Sequence, residues 1–92
     1  MEFDWEEENL QHIALHNVTA AEAEFVLQNP PTLDLGYQDW HDQEERFAEV
    51  GATANGRILT IITTWRGIKT RVITAYDAPI SVADEYYRQR MV

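Results

Sequence analysis

The stretch RILTIITTWRGIKTRVITAY, residues 57–76, decides the fold of this chain. Isoleucine, valine and threonine dominate both of its halves, and Arg66-Gly67 separates the two halves. β-branched residues favour strands, and glycine favours tight turns. The pattern therefore predicts two antiparallel strands, over residues 57–65 and 68–76, that are joined by a two-residue turn at Arg66-Gly67.

The turn also sets the register of this hairpin, because a two-residue loop fixes which residues face each other. With Arg66-Gly67 in the turn, Trp65 is expected to pair with Ile68. Trp65 is then expected to anchor the edge of the core, as are Trp5 and Trp40.

The rest of the sheet is expected to precede the hairpin. Residues 45–52 have the pattern of a strand, and Asn55-Gly56 after them is a strong hairpin signal. A short strand is expected near Leu33, followed by a loop. The sheet is thus predicted to be an antiparallel meander of three or four strands.

Helices are expected on both sides of the sheet in the sequence. Residues 6–16 predict a first helix, with apolar side chains at helical spacing. Thr19 and Glu22 have the spacing of a capping box, which opens a second helix that Asn29-Pro30-Pro31 ends. A last helix begins between residues 79 and 81. This order predicts an α+β fold: two N-terminal helices, an antiparallel meander and a C-terminal helix, in a single domain of residues 1–92.

Charge divides the chain into two unequal halves. Residues 1–50 hold thirteen of the sixteen acidic residues and a single Lys or Arg, which gives −12, whereas residues 51–92 carry +3. The total of −9 argues against a general affinity for nucleic acid or anionic membranes. Any contact with a phosphate is therefore expected to be local.

The composition also limits the class of protein. The chain has no cysteine, which excludes disulfides and thiolate zinc sites. Its longest apolar stretch, residues 58–65, is far shorter than the ~20 residues that a membrane span needs. A cytoplasmic location without a signal peptide or membrane contact is expected.

Short motifs in a fixed order run through nearly the whole chain: FDWE at 3–6, NLQHIALHNV at 9–18, NP at 29–30, EERF at 44–47, VG at 50–51, GRIL at 56–59 and RVITA at 71–75. In their order and spacing they resemble the BrnT family of ribonuclease toxins. The resemblance implies a RelE-like microbial ribonuclease fold, a toxin that cleaves RNA without a metal or other cofactor, and a separately encoded, BrnA-like antitoxin. A homodimer is a further assembly that such a protein can form.

The chain departs from the family pattern at a few places. Leu15 stands where a basic residue is usual, Asn17 where glycine is usual and Tyr76 where arginine is usual. The last helix also lacks the arginines that the family carries near its start. These departures fall on residues that would bind phosphate, so an alternative is a non-catalytic interaction module on the same fold whose acidic half binds a basic partner.

Cleavage of RNA needs a base for the 2′-hydroxyl, an acid for the leaving 5′ oxygen and cations for the phosphate. The candidate catalytic residues are His12, His16, Arg46, Arg71 and Tyr76, with Arg66 and Lys69 as substrate-binding residues. His12 and His16 are four residues apart, so one helix face is expected to carry both.

Each candidate also has a structural interpretation. The two histidines can be structural, or they can bind zinc if His41 or a carboxylate supplies a third ligand. Arg46 and Arg71 can form cross-strand salt bridges with Glu45, Glu49 or Asp77. Arg66 can be solvated in its turn, and Tyr76 can belong to an aromatic patch with the tyrosines of the last helix.

Overall fold

The computed structural model describes residues 1–41 and 44–90. Its elements, in chain order, are α1 (Glu7–Leu15), α2 (Ala20–Gln28), β1 (Leu33–His41), β2 (Glu44–Ala52), β3 (Ile58–Arg66), β4 (Lys69–Asp77) and α3 (Ile80–Arg90). The strands form one antiparallel sheet in the order β1-β2-β3-β4. The predicted α+β class and the order of its elements are confirmed.

The hairpin from β3 to β4 turns one residue later than the sequence suggested. Arg66 pairs with Lys69 and Trp65 with Thr70, so Gly67 and Ile68 are the two turn residues. Gly67 has a φ of 64°, and a two-residue hairpin with a positive φ at its first central position favours glycine there. The predicted register was wrong because glycine was assigned to the second position of the turn. A register shift between Ile62 and Thr63 changes the pairing again further along.

The first strand is much longer than predicted. Residues that were expected to form a loop after Leu33 continue as β1 to His41. The pairing of β1 with β2 has two register shifts, and Gly36, with a φ of 75°, lies beside the first of them. Such bulges bring glycine and aspartate into a strand, which explains why the composition indicated a loop.

The two N-terminal helices cover one face of the sheet. Ile13 of α1 and Val26 of α2 pack there with Leu59 and Ile61 of β3. The predicted capping box at the start of α2 is present, since Thr19 and Glu22 each accept a hydrogen bond from the other's backbone.

The C-terminal helix covers part of the opposite face. Tyr86 of α3 packs there with Leu33 of β1 and Val50 of β2. α3 has few contacts with the rest of the sheet, so much of this second face is left for a site.

Two of the predicted tryptophan anchors can be assessed. Trp5 is half-buried and packs against the core, as expected. Trp65 is 62 % exposed, so the prediction that it anchors the core was wrong. It pairs with Thr70, next to the turn of the hairpin. The side chain of Trp40 lies outside what the structure describes.

Gly51 lies where β2 passes closest to α2. A Cβ atom at this position would be 2.8 Å from Val26 Cγ1 and 3.1 Å from Thr32 Cγ2. We expect Gly51→Ala to lower the free energy of unfolding by about 1–3 kcal/mol through overpacking, as measured by urea denaturation. In the double variant Val26→Ala, Gly51→Ala, the shorter side chain at position 26 makes room for the new methyl group at position 51. The double variant should therefore lose less free energy of unfolding than the two single variants lose in sum. Strict additivity would contradict this account of the contact.

Candidate functional site

Four of the predicted site residues lie around one cavity. The cavity has a volume of about 250 Å³, and its predicted members are His12, Arg46, Arg66 and Arg71. The other residues that line it are Glu6, Glu8, Asn9, Glu44 and Ile73. Histidine and arginine, from distant parts of the sequence, thus meet at the edge of the sheet where α1 lies along β4.

The register of the sheet explains why the arginines meet. Arg71 pairs with Thr64 on β3, and Arg66 is two residues beyond Thr64 on the same strand. Side chains two residues apart in a strand point to the same face, so Arg71 and Arg66 share one face. Arg46, one residue before Phe47 in β2, lies on that face too, since Phe47 pairs with Thr63. A prediction with the wrong register could still name these residues but could not place them together.

Among the described residues, carboxylates of the chain itself bind Arg71 and Arg66. Arg71 Nη2 donates to Asp4 Oδ2 at 2.6 Å and to Glu6 Oε1 at 2.7 Å. Arg66 donates to Glu44. The ion-pair interpretation of Arg71 is therefore correct in kind but wrong in its partners, because the N-terminal segment, and not a neighbouring strand, supplies the carboxylates. Arg66 is also paired and not simply solvated.

These pairs change the acidity of the groups involved. The hydrogen bond from Arg66 lowers the pKa of Glu44, against an opposing effect of burial. Burial would lower the pKa of Arg71, but Asp4 and Glu6 outweigh it and raise that pKa. The Arg71 guanidinium therefore remains charged, and carboxylates hold both Arg71 and Arg66 in place at the cavity.

The cavity also contains polar atoms without a partner. Within residues 1–41 and 44–90, Arg46 Nε, Arg71 Nε and Asn9 Oδ1 are buried and make no hydrogen bond. Two donors and one acceptor are thus left over where the arginines meet α1.

Removing the charge of Glu44 tests whether it competes with an anion for Arg66. The resemblance to ribonuclease toxins predicts RNA as that anion, and Glu44→Gln is then expected to bind a short RNA roughly two- to fivefold more tightly, since a surface ion pair contributes at most about 1 kcal/mol. Fluorescence anisotropy at fixed salt measures the affinity. The matched control is Glu45→Gln, which makes the same charge change on the exposed side of β2. An equal gain in both variants would show that only net charge matters.

The other predicted site residues do not line this cavity. His16 lies one helical turn beyond His12, with its ring centroid 5.8 Å from that of Tyr76. Tyr76 pairs with Thr60 and so shares the sheet face of Arg71. Among the described residues its ring contact is with His16 and not with the tyrosines of α3, where Tyr86 and Tyr87 pack edge to face with their centroids 5.6 Å apart.

Lys69 lies at the end of the hairpin. It pairs with Arg66 across the turn and is exposed. Lys69 does not line the cavity. A role for Lys69 would therefore be limited to contacts with a long ligand that extends past the turn.

Arg57 is a structural residue that the sequence prediction passed over. It donates to Asp77 at 2.7 and 3.2 Å, and to the backbone oxygens of His16 at 2.9 Å and Asn17 at 2.5 Å. Asn17 has a φ of 58°, which ends α1 in the left-handed conformation. Arg57 thus ties the end of α1 to the sheet and fixes the helix that carries both histidines. The GRIL motif was the one signal that could have indicated it.

The Arg57 contact predicts a pH dependence. The hydrogen bond from Arg57 lowers the pKa of Asp77 below its ordinary value of 3.8. A lowered pKa stabilises the folded chain above about pH 3.8, and this stabilisation is lost as the pH falls through the lower, folded-state pKa. We expect Asp77→Asn to flatten the loss of stability below about pH 4, to a small extent because Asp77 is largely exposed. Thermal unfolding at several pH values measures it, and Asp84→Asn on α3 should keep the wild-type slope.

The structure also bears on a metal site and on a membrane span. Among the described residues, no group of three His, Cys, Asp or Glu side chains is arranged to hold a metal ion. The side chain of His41, the suggested third zinc ligand, lies outside what the structure describes. No helix in the described part of the chain is long and apolar enough to cross a membrane.

Comparison with known proteins identifies a family. A family model described as "Ribonuclease toxin, BrnT, of type II toxin-antitoxin system" matches residues 5–80. This range contains the whole cavity from Glu6 to Ile73. No curated protein matches the chain.

Proposed function

The chain belongs to the family of BrnT ribonuclease toxins of type II toxin–antitoxin systems, and from this premise we propose that it cleaves RNA in the cavity beside His12. Membership of this family implies an antitoxin as partner. RNA as the substrate, cleavage without a metal ion and the roles of single residues are parts of the proposal.

The observation that carries the proposal is the convergence of one histidine and three arginines on a small cavity. Histidine titrates near neutral pH and can transfer protons there. A guanidinium group has a fork of donors that matches the oxygens of a phosphate. Together they supply proton transfer and positive charge, the two requirements for cleaving a phosphodiester.

The proposed reaction uses the neighbouring 2′-hydroxyl of RNA. The 2′ oxygen attacks the phosphorus while the bond from phosphorus to the 5′ oxygen breaks. His12 takes the proton from the 2′-hydroxyl, and the His16 and Tyr76 pair, one helical turn away, returns a proton to the 5′ oxygen. The products are a 2′,3′-cyclic phosphate and a free 5′-hydroxyl.

The arginines bind the phosphates of the RNA backbone. Arg46 and Arg71 bind the phosphate and stabilise the negative charge that grows on it in the transition state. Arg66, which Glu44 holds, binds the next part of the backbone. Lys69 contacts a longer RNA beyond the turn. A cellular RNA substrate places the activity in the cytoplasm.

A second function is favoured by the ion pairs of the same cavity. Asp4, Glu6 and Glu44 neutralise Arg71 and Arg66, so a phosphate must compete with carboxylates that are already bound. If the carboxylates keep the arginines from binding phosphate, the chain is a non-catalytic interaction module. Its binding surface is then the acidic N-terminal half.

Expression in bacteria separates the two functions. Wild-type protein, without an antitoxin, is expected to arrest growth and degrade RNA, and His12→Ala is expected to do neither. His16→Ala, changed one turn along the same helix, should keep partial activity. If wild type and His12→Ala grow equally well with intact RNA at equal protein levels, the interaction module is the correct function.

A further inference from the structure

Asn9 is a buried polar residue that the proposed reaction does not use. It lies in the first half of α1, lines the cavity with the arginines and is 8 % exposed. Its Oδ1 makes no hydrogen bond to any described residue. A buried acceptor without a donor is unfavourable, so its presence beside a cavity indicates a ligand that supplies the donor.

Three residues that line the cavity each carry one buried polar atom without a partner among the described residues. Arg46 Nε and Arg71 Nε are buried donors, and Asn9 Oδ1 is a buried acceptor. A phosphodiester offers two non-bridging oxygens, which can accept from the two Nε–H groups. Asn9 Oδ1 then still needs a donor, which one hydroxyl group of the ligand can supply. In RNA the 2′-hydroxyl lies next to the 3′ phosphate, whereas DNA has no donor at that position.

We propose that Asn9 recognises the ribose 2′-hydroxyl of the bound nucleotide and thereby selects RNA over DNA. This inference rests on the proposed function, because it needs a nucleic acid in the same cavity. Asn9 Oδ1 accepts a hydrogen bond from the 2′-hydroxyl while the arginines hold the adjacent phosphate. The bond holds the 2′ oxygen beside the phosphorus in the bound state. Before attack the hydroxyl turns its single proton from Asn9 Oδ1 to His12, which takes it as the 2′ oxygen bonds to phosphorus.

The ion pairs of the arginines are compatible with this arrangement. Arg71 uses Nη2 for Asp4 and Glu6, which leaves its Nε edge for a phosphate oxygen. The carboxylates thus hold the guanidinium in position without occupying the donor that the ligand needs.

The test compares one short oligonucleotide of mixed sequence in three forms: ribose, 2′-fluoro and 2′-deoxy. The 2′-fluoro sugar keeps the pucker of ribose but cannot donate a hydrogen bond, so it separates recognition of the hydroxyl from recognition of shape. Affinities are measured by fluorescence anisotropy in the His12→Ala background, and a gel verifies that the RNA stays intact. The ribose form is expected to bind about tenfold more tightly than the 2′-fluoro form, the loss expected for one unmade hydrogen bond.

Variants of Asn9 identify the residue that is responsible. Asn9→Leu has a similar size and a good helix propensity but no acceptor, and its ratio of the two affinities should fall to about one. Asn9→Asp keeps an acceptor, so it should keep the ratio while its added charge weakens the binding of both forms. Circular dichroism confirms that each variant is folded.

Three results overturn the inference. An equal affinity for the ribose and 2′-fluoro forms in the His12→Ala protein does so whether or not the Asn9 variants fold. A ratio that is unchanged in Asn9→Leu does so as well and leaves the proposed ribonuclease function intact. Failure of every form to bind overturns both this inference and the proposed function.

Discussion

Replacement of Arg71 with alanine is expected to lower RNA cleavage by roughly 100- to 1000-fold, the usual loss when one donor to a charged transition state is removed. Arg71 lines the cavity, and its Nη2 is held by Asp4 and Glu6, whereas its buried Nε makes no hydrogen bond to a described residue. Its fixed position means that little reorganisation is needed when charge develops on the phosphate. Single-turnover kinetics on a labelled RNA measure the rate.

Two controls make this result specific to the cavity. Arg88→Ala removes the same charge from an exposed position on α3 and should leave the rate within twofold of wild type, about the effect of a screened surface charge. Arg71→Lys keeps the charge but loses the fork of donors, and it should recover only part of the activity. Equal losses in Arg71→Ala and Arg88→Ala would mean that overall charge, and not the cavity, determines the rate.

Truncation of Ile61 is expected to have the largest effect on stability. Ile61 lies in β3, which pairs with β2 on one side and with β4 on the other. Its side chain is 0 % exposed beneath α1 and α2. We expect Ile61→Ala to lower the free energy of unfolding by about 2–5 kcal/mol, from lost burial and the cavity left behind. For a domain of this size that is a large part of the total, so the melting temperature should fall by more than about 10 °C.

The hairpin turn offers a matched control for this substitution. Ile68→Ala removes the same atoms from a residue that is 84 % exposed, and its effect should stay within about 0.5 kcal/mol. The pair thus tests the observed register as well as the core. If Ile68→Ala destabilised as much as Ile61→Ala, Ile68 would be packed in the protein, contrary to the position of the turn.

Local signals in the sequence predicted most of the fold. The capping box at Thr19, the hairpin between β3 and β4 and the break after Asn29 each depend on neighbouring residues, and each is present. The register of the hairpin and the length of β1 were wrong. Both depend on a choice between nearby conformations of glycine, Gly67 in the turn and Gly36 at the bulge, that tertiary pairing decides.

The candidate site was predicted in part. The chemical types pointed to His12, Arg46, Arg66 and Arg71, and these four meet. The sequence could not indicate the carboxylates that bind the arginines, because Asp4 is 67 residues from Arg71 along the chain. Buried polar atoms such as Asn9 Oδ1 are likewise invisible without the packing that removes them from water.

The uneven charge of the chain has a structural counterpart at this cavity. The acidic first half supplies Asp4, Glu6 and Glu44, and the basic second half supplies Arg66 and Arg71. The two halves therefore neutralise each other at the place where a phosphate would bind. A phosphate there must therefore use donors that the carboxylates leave, such as the Nε edge of Arg71.

The most direct test of ribonuclease activity in the cavity is cleavage of RNA by the purified protein in the presence of EDTA. We predict that the wild type cuts RNA to fragments that end in 2′,3′-cyclic phosphate, and that His12→Ala, folded to the same extent, leaves the RNA intact. RNA that stays intact with the wild type, or that His12→Ala cuts at the wild-type rate, would contradict the account.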